Sequence, residues 1–540
     1  MIDSTVTSSN IKTLPIAINR VILPLDYNYA TTGDLLVKIG EQVLQNQPLT
    51  KVLPDNNYCV AIHAPISGTI TNIAEYYILQ ENYMNHSLKK IKAIEITTLS
   101  NEITDLKYTY PLQETKLPSL LNQFGIIGLG GAGFPSAKKL ETKTISTLII
   151  NAVECENPII ADYGLMINHS ANIIHGITIL NQIIQAKSVI IAIKTSMTRA
   201  IKQMEQALTQ YNTHQNNNTN IAIKLIPDQY PNGYSKTLIK LVTNQEITYN
   251  THSSQNGIIC LNVGTIFAIE QALTKQQPLI NRIVTIGITK SKQTIYENYL
   301  IPIGTPISTI LLAFNIDFTK IENKTHFLKI TTGGNHMGYT IFDSTRLTQH
   351  QINYEYLNNV GIEKTTQIIT ITYQEIPNKQ PSLFNKLLSF IKKNSKAATE
   401  CIKCGFCEPV CPMNLMPQQL YWFSQNTEQS DNFKSLEEHY IHNCIECGLC
   451  DTVCPSNLPL AAKFKHAKSK VKIANYKITQ AELAKQRNEQ TTARIHTLEE
   501  VVFEQSNNII NASKYNKKNI LESALKRAQQ KKQIKSEISQ

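Results

Sequence analysis

Two runs of cysteines carry the most specific chemistry in this chain. The first, CIKCGFCEPVCP, holds Cys401, Cys404, Cys407 and Cys411; the second, CIECGLCDTVCP, holds Cys444, Cys447, Cys450 and Cys454. Each has the spacing C-x2-C-x2-C-x3-C-P, and together they take eight of the eleven cysteines. So tight a grouping reads as metal ligation, not as disulfide staples for a large domain. Three closely spaced thiolates can wrap three corners of an iron-sulfur cubane while the fourth leaves the loop. Gly405 and Gly448 permit close approach or positive φ, and backbone N–H groups between the ligands can point at sulfur. Zinc also accepts four thiolates and is the competing reading; the doubled three-plus-one pattern favours clusters.

The spacing is that of bacterial ferredoxins, in which the fourth cysteine of each run serves the other run's cluster. It implies two [4Fe-4S] clusters. One would be held by Cys401, Cys404, Cys407 and Cys454, the other by Cys411, Cys444, Cys447 and Cys450. Pro412 and Pro455 follow each crossing ligand and can turn the chain away. Paired clusters form a path for single electrons, whereas one alone suits a sensor.

A second candidate site is GLGGAGFPSAKK, with Gly128, Gly130, Gly131, Ala132, Gly133, Phe134 and Pro135 ahead of a predicted helix. Glycines let backbone approach a phosphate, and successive N–H groups can bind an anion. The pattern G-x-G-x-x-G is present at Gly128, Gly130 and Gly133, but no clear strand feeds it, so a packing turn is the alternative. Downstream, TLIINAVECENP ends in Asn151, Glu154, Cys155 and Glu156, where a ligand of an α/β domain would sit, or where a strand simply meets solvent. Cys155 has no matched histidine and reads as packed, not nucleophilic. In LNVGTIFAIEQAL, Asn262, Gly264 and Thr265 precede another helix, which suits either an oxygen-rich ligand or an ordinary cap.

The elements that must position these residues follow from periodicity. Residues 20–112 read as short strands broken by turns around Gly40, Pro65 and Gly68. They resemble a biotinyl/lipoyl-type barrel-sandwich, but the hairpin at Ser67 and Gly68 has no lysine at its tip, so the module reads as structural and not as a carrier arm. Residues 113–280 alternate apolar strands (147–153, 188–194, 221–227) with helical stretches, which indicates a largely parallel sheet; the polar run 211–220 reads as a surface loop. Residues 281–375 are β-rich and resemble a β-grasp-like soluble-ligand-binding module, with a structural spacer as the alternative. Residues 385–470 form helical turns around the cysteines. Residues 471–540 read as a charged tail of one or two helices with a frayed end and no sustained heptad. The expected fold class is thus multidomain α+β: barrel-sandwich, α/β nucleotide domain, β-grasp-like domain, α-helical ferredoxin-like dicluster domain and helical basic tail.

Length and charge set the outer limits. The chain has 540 residues, beyond the roughly 250–300 at which single cores stop growing. Its net charge is +11, part of it in Lys463, Lys465, Lys468, Lys470 and Lys472. A basic tail suits anionic lipid, a partner protein or simple solubility. No fingerprint of a nucleic-acid module accompanies it, so nucleic acid is not an expected partner. No run of about 18 apolar residues is present, and the opening MIDSTVTSSN lacks the flank and core of a secretory signal; a reducing cytoplasm is expected.

These pieces, in this order, closely resemble the RnfC/RsxC family of the Rnf/Rsx electron transport complex. The resemblance rests on GLGGAGFPSAKK, on NAVECE with Asp162 and Met166 beyond it, on the paired cysteine runs and on the barrel-sandwich before them, and covers roughly residues 20–475. The middle domain also resembles the NADH- and FMN-binding subunit of respiratory complex I. The resemblance implies a flavin and nucleotide loop at Gly128, Gly130, Gly131, Ala132, Gly133 and Phe134, a neighbouring site at Asn151, Glu154 and Glu156, and a far wall at Asn262 and Thr265. It implies FMN, NADH as substrate, other subunits of a Rnf/Rsx-type membrane complex as partners, and a peripheral place on the cytoplasmic side of the inner membrane, within an ion-translocating oxidoreductase. The chain departs from the family where Asn157 stands between ECE and Pro158, where a glycine-glycine-glutamate element is replaced by YPNGYSKTLI, and in GGNHMG at Gly333 to Gly338. Two other readings remain: a relay exchanging electrons with ferredoxin or a partner without oxidising NADH itself, and a redox-regulatory or assembly subunit without turnover.

Overall fold

The computed structural model describes residues 6–537 apart from 27–28, 54–55, 57, 83–86, 99–106, 111–115, 142–143, 216–219, 248–250, 291–292, 324, 346–353, 377–397 and 426–429. Residues 1–466 form one compact unit and residues 467–540 a second.

The first strand, β1 (Val6–Thr13), belongs to a sheet described below. β2 (Arg20–Pro24), β3 (Gln42–Val43), β4 (Gly68–Asn82) and β5 (Ser87–Thr97) make an antiparallel sheet in the order β2-β5-β4-β3. The expectation of short strands fails for β4 and β5, which form one long hairpin. Ser67 and Gly68 are no exposed tip: Ser67 is buried and accepts the Gln45 N–H, and a Cβ on Gly68 would lie 2.5 Å from the Thr97 carbonyl oxygen.

β6 (Thr147–Ala152), β7 (Ser188–Lys194), β8 (Ile221–Ile226) and β9 (Ile258–Asn262) form a wholly parallel sheet, order β8-β7-β6-β9. Continuous apolar runs in β6 and β9 follow from burial on both faces, whereas edge strand β8 alternates. One face packs on the helices Ser170–Ile184 and Val263–Lys275, the other on the helix Ser235–Thr243. The helix Thr198–Gln215 takes in residues 211–215 of the polar run read as a loop; 216–219 lie outside the described residues. The chain runs outward from β6 to β8 and then returns to place β9 on the other side of β6. The order therefore reverses between β6 and β9, where Asn151 faces Asn262 in register. Ligands of open parallel sheets bind at such a reversal, beyond the carboxyl ends of the strands.

β10 (Asn281–Lys290), β11 (Gln293–Pro302), β12 (His326–Thr332), β13 (Tyr339–Asp343) and β14 (Ile368–Glu375) join β1 in a mixed sheet, order β1-β11-β10-β14-β12-β13. A hairpin, the helix Ile307–Ala313 packed on its face, and β14 returning parallel to β10 give the β-grasp-like arrangement.

The cluster region holds short helices, Pro417–Ser424, Ser430–Glu438 and Leu449–Thr452. A helix then begins at Leu460 and continues to Glu537. The expected tail of one or two helices is one uninterrupted helix through Glu537, because no proline or glycine occurs after Pro459 to stop it. No helix among the described residues is long and apolar enough to cross a membrane.

Candidate functional site

The two cysteine loops repeat each other in backbone detail. Lys403 and Gly405 take positive φ in the first, Glu446 and Gly448 in the second, and Asn414 and Asn457 do so three residues after Cys411 and Cys454. These turns face the cysteines toward two apolar pockets. Cys401, Cys404, Cys407 and Cys454 line one, with Ile402, Tyr421 and Leu460; Cys411, Cys444, Cys447 and Cys450 line the other, with Leu415, Leu420 and Phe464. The fourth cysteine of each run thus stands beside the other run's three. Among the described residues, no three His, Cys, Asp or Glu side chains converge as a single ion's ligand set. Four thiols sharing one apolar pocket in a three-plus-one arrangement suit an iron-sulfur cluster. The Leu415 N–H lies 3.4 Å from Cys411 Sγ and the Glu446 N–H 3.4 Å from Cys444 Sγ, the kind of donor that tunes a thiolate. None of the eleven cysteines is in a disulfide.

The glycine loop lies at the strand-order reversal. It follows the helix Leu117–Gln123 and is closed by the Gly128 N–H on the Phe134 carbonyl oxygen at 2.8 Å. Three of its glycines serve packing. A Cβ at Gly128 would meet the Phe134 carbonyl oxygen at 3.2 Å, at Gly130 the Asn262 Cβ at 3.3 Å, and at Gly133 the Thr365 Cγ2 at 2.9 Å. Gly131 differs: its φ is +108°, and a Cβ there would have only Gln367 Oε1, at 4.0 Å, as a neighbour. Gly130, Gly131 and Ala132 are exposed, so their backbone is available to a bound group. Phe134 is half-buried with Tyr29 and Tyr58 about it, ring centroids 5.9 and 6.0 Å away.

The nominated polar side chains around this loop are engaged by protein. Asn151 donates to the Gly233 carbonyl oxygen at 2.8 Å. Glu154, at φ +40°, turns its carboxylate onto the N–H groups of Asp162 and Tyr163 at 2.7 and 2.9 Å. Glu156 accepts from the N–H groups of His336 and Met337 at 2.8 and 2.6 Å, and so holds the GGNHMG turn. Asn262 accepts the Gly264 N–H at 2.9 Å as a helix cap and donates to Asp162 at 2.6 Å. Thr265 is fully buried and receives the Leu129 N–H at 3.0 Å. Cys155 packs on Gly233.

Beneath the loop lie buried charges for which the sequence has no local signal. Arg282, 4% exposed, donates to the carbonyl oxygens of Leu129 at 2.7 Å and Thr366 at 3.1 Å. Lys364, 2% exposed, donates to the Gly125 carbonyl oxygen at 2.8 Å. Burial pushes the Glu154 acid up, the Asp162 carboxylate beside it pushes it further, and the two N–H donors oppose this. Asp162 is raised by burial against the pull of Arg282 and Asn262. Lys364 is lowered by burial to about 7. Asp162 was visible in the sequence beyond NAVECE; Arg282 and Lys364 lie too far along the chain for any motif to carry them.

Residues 121–271 match the family described as the Nuo51 FMN-binding domain, residues 397–458 the 4Fe-4S dicluster domain, and residues 3–96 the RnfC barrel sandwich hybrid domain. The chain is 35% identical over 497 residues to the C subunit of the ion-translocating oxidoreductase complex of Haemophilus influenzae strain 86-028NP, covering 91% of this chain and 67% of that one. The chain belongs to this family, the C subunits of ion-translocating oxidoreductase complexes. Another member, from Edwardsiella ictaluri, is 34% identical over 484 residues, 88% of this chain and 54% of its own length. The chain thus spans between about half and two-thirds of these relatives. Among solved structures, an NAD+-reducing [NiFe]-hydrogenase in the H2-reduced state matches with 15% identity and a TM-score of 0.39, over 65% of this chain and 60% of that one.

Proposed function

We propose that this chain is the peripheral electron-transfer subunit of an ion-translocating membrane complex. In this reading it binds FMN at the glycine loop, accepts NADH beside it, and carries two [4Fe-4S] clusters leading to the membrane subunits, on the cytoplasmic side of the inner membrane. The observation that carries the reading is the three-plus-one sharing of cysteines around two separate voids. FMN, when bound, accepts a hydride as two electrons and releases them singly, which nicotinamide chemistry requires before a one-electron cluster can take part.

The chain's own residues supply position. Cys401, Cys404, Cys407 and Cys454 would hold one cluster; Cys411, Cys444, Cys447 and Cys450 the other. Gly130, Gly131 and Ala132 offer exposed backbone, and Phe134 an apolar wall. Glu154, Glu156, Asn151, Asn262 and Thr265 hold the surrounding turns, so no protein acid or base is assigned to hydride transfer. Absence of a membrane-spanning helix among the described residues is compatible with a peripheral place.

The test is anaerobic purification of the full chain with iron, inorganic sulfide and flavin quantified and a spectrum taken after NADH addition. Two clusters, one FMN and prompt flavin bleaching are expected. Clusters without a flavin or NADH response would make the chain a relay, and zinc without sulfide would remove the cluster reading.

A further inference from the structure

The two cysteine sites differ in what surrounds them. Tyr230 donates its hydroxyl hydrogen to the Cys447 carbonyl oxygen at 2.7 Å. Its ring stacks on the His336 imidazole, centroids 4.4 Å apart and 20° from parallel. Gly448 lies so close to this pair that a Cβ there would sit 2.8 Å from the His336 carbonyl oxygen. Both partners are rooted beside the glycine loop. Tyr230 opens the turn whose Gly233 carbonyl is held by Asn151, and the His336 N–H is held by Glu156.

The Cys401 to Cys407 loop is tied within its own domain. The Thr399 N–H donates to the Ser456 carbonyl oxygen at 3.0 Å, Ser456 Oγ to the Glu400 carbonyl oxygen at 2.8 Å, and Lys403 Nζ lies 4.8 Å above the Trp422 ring. Ile402 and Phe406 stand 66% and 61% exposed, and Cys404 is exposed as well. One site is therefore clamped against the nucleotide domain and the other reaches the surface.

We propose that the site of Cys411, Cys444, Cys447 and Cys450 is the flavin-side centre, with Tyr230 and His336 as positioning residues that fix its loop against the nucleotide domain, while the site of Cys401, Cys404, Cys407 and Cys454 exchanges electrons with the next redox protein. This rests on the function proposed above. In the direction of NADH oxidation, each NADH yields NAD+, a proton and two electrons. The electrons pass singly through the inner and then the outer site to a one-electron-accepting protein.

The test uses the full-length chain, prepared without oxygen, with iron and sulfide measured in each variant. Wild type, Tyr230→Phe, Tyr230→Ala, His336→Ala and Phe406→Ala are titrated electrochemically and followed by electron paramagnetic resonance, and their reduction by NADH is followed in a stopped-flow instrument. One cluster signal is expected to shift in the Tyr230 and His336 variants, and the other in Phe406→Ala. NADH-driven cluster reduction should slow about tenfold in Tyr230→Ala, the effect of about one lost hydrogen bond on a barrier, and less in Tyr230→Phe, while flavin reduction keeps its rate. Should the Tyr230 variants move neither signal, or the same one as Phe406→Ala, with iron and sulfide retained, the assignment is overturned. A wild-type chain without sulfide or flavin overturns the function reading itself, before any variant is compared.

Discussion

In the cysteine loops the side chains nominated from the sequence face a void; around the glycine loop the nominated side chains face protein backbone. Cys411 and Cys454 cross between their loops to complete two apolar cavities. Glu154, Glu156, Asn151 and Asn262 each satisfy a backbone group of a neighbouring turn, and Asn262 also donates to the Asp162 carboxylate. On the proposed function, the difference matches what each group would need. An iron-sulfur cluster is bound through side-chain sulfur, so its ligands must point inward. A phosphate-bearing ligand is bound largely through backbone N–H groups, so nearby carboxylates and amides serve best by holding that backbone still.

The largest effect that separates the two regions is expected from the crossing cysteines. Cys454→Ala should abolish the cluster of the Cys401 loop and spare that of its own loop; Cys411→Ala should do the reverse. Each should remove about half of the iron and sulfide and leave the flavin in place. Loss of the cluster in the mutated cysteine's own loop would break the shared geometry.

Next comes Arg282→Met, which strips the Leu129 and Thr366 carbonyls of a donor and leaves Asp162 and Glu154 without their buried cation. Breaking such an arrangement costs about 3–5 kcal/mol. A lower melting temperature and loss of FMN on gel filtration are expected, with cluster content kept. Unchanged flavin content would mean that the loop does not depend on this support.

The third test is a pH dependence confined to the root of the glycine loop. Lys364 binds its proton less tightly folded than unfolded, so between pH 7 and the ordinary lysine range the unfolded chain holds more protons and stability rises with pH. His63, lowered by burial beside Lys364, acts in the same sense on the acid side, and Glu363, raised to about 7, in the opposite sense below that pH. Above pH 7 the Lys364 contribution should appear as a slope of about 1.4 kcal/mol per pH unit, measured by denaturation at pH 7, 8 and 9 and flattened in Lys364→Met.

The smallest effect is expected from Glu154→Gln. The amide oxygen can still accept one of the two N–H groups, so stability should fall by about 1 kcal/mol and flavin content should stay the same. A collapse of NADH affinity would instead put Glu154 in contact with the ligand and erase the contrast between the two regions.

How much of this was legible follows from distance along the chain. Each cysteine run packs its ligands into eleven residues, and Gly405 and Gly448 announced their positive φ. Lys403 and Glu446 adopt positive φ without the glycine that would signal it. The parallel sheet was readable from the apolar runs that form β6, β7 and β8, whereas β9 was not read as a strand. The strand-order reversal beside Asn151 and Asn262 was not readable, since it is set by where β9 returns. Polar residues after β6 marked the neighbourhood of the strand-order reversal, but whether they face a ligand or the backbone turns on details such as the φ of Glu154. Arg282 and Lys364 were silent because their partners, Leu129 and Gly125, lie more than 150 residues earlier in the first case and more than 230 in the second.

β1 pairs in parallel with β11 although β2, a few residues later, lies in the antiparallel sheet. The leading segment is therefore a strap stitched across a domain border, and the barrel-sandwich is not a cassette that can be cut out after residue 13. Deleting that strap would bare the unpaired N–H and C=O row of Gln293–Pro302, a ready template for sticking to another molecule. Tags, fusions and trimmed expression forms at this end would consequently be felt nearly 290 residues further along the chain.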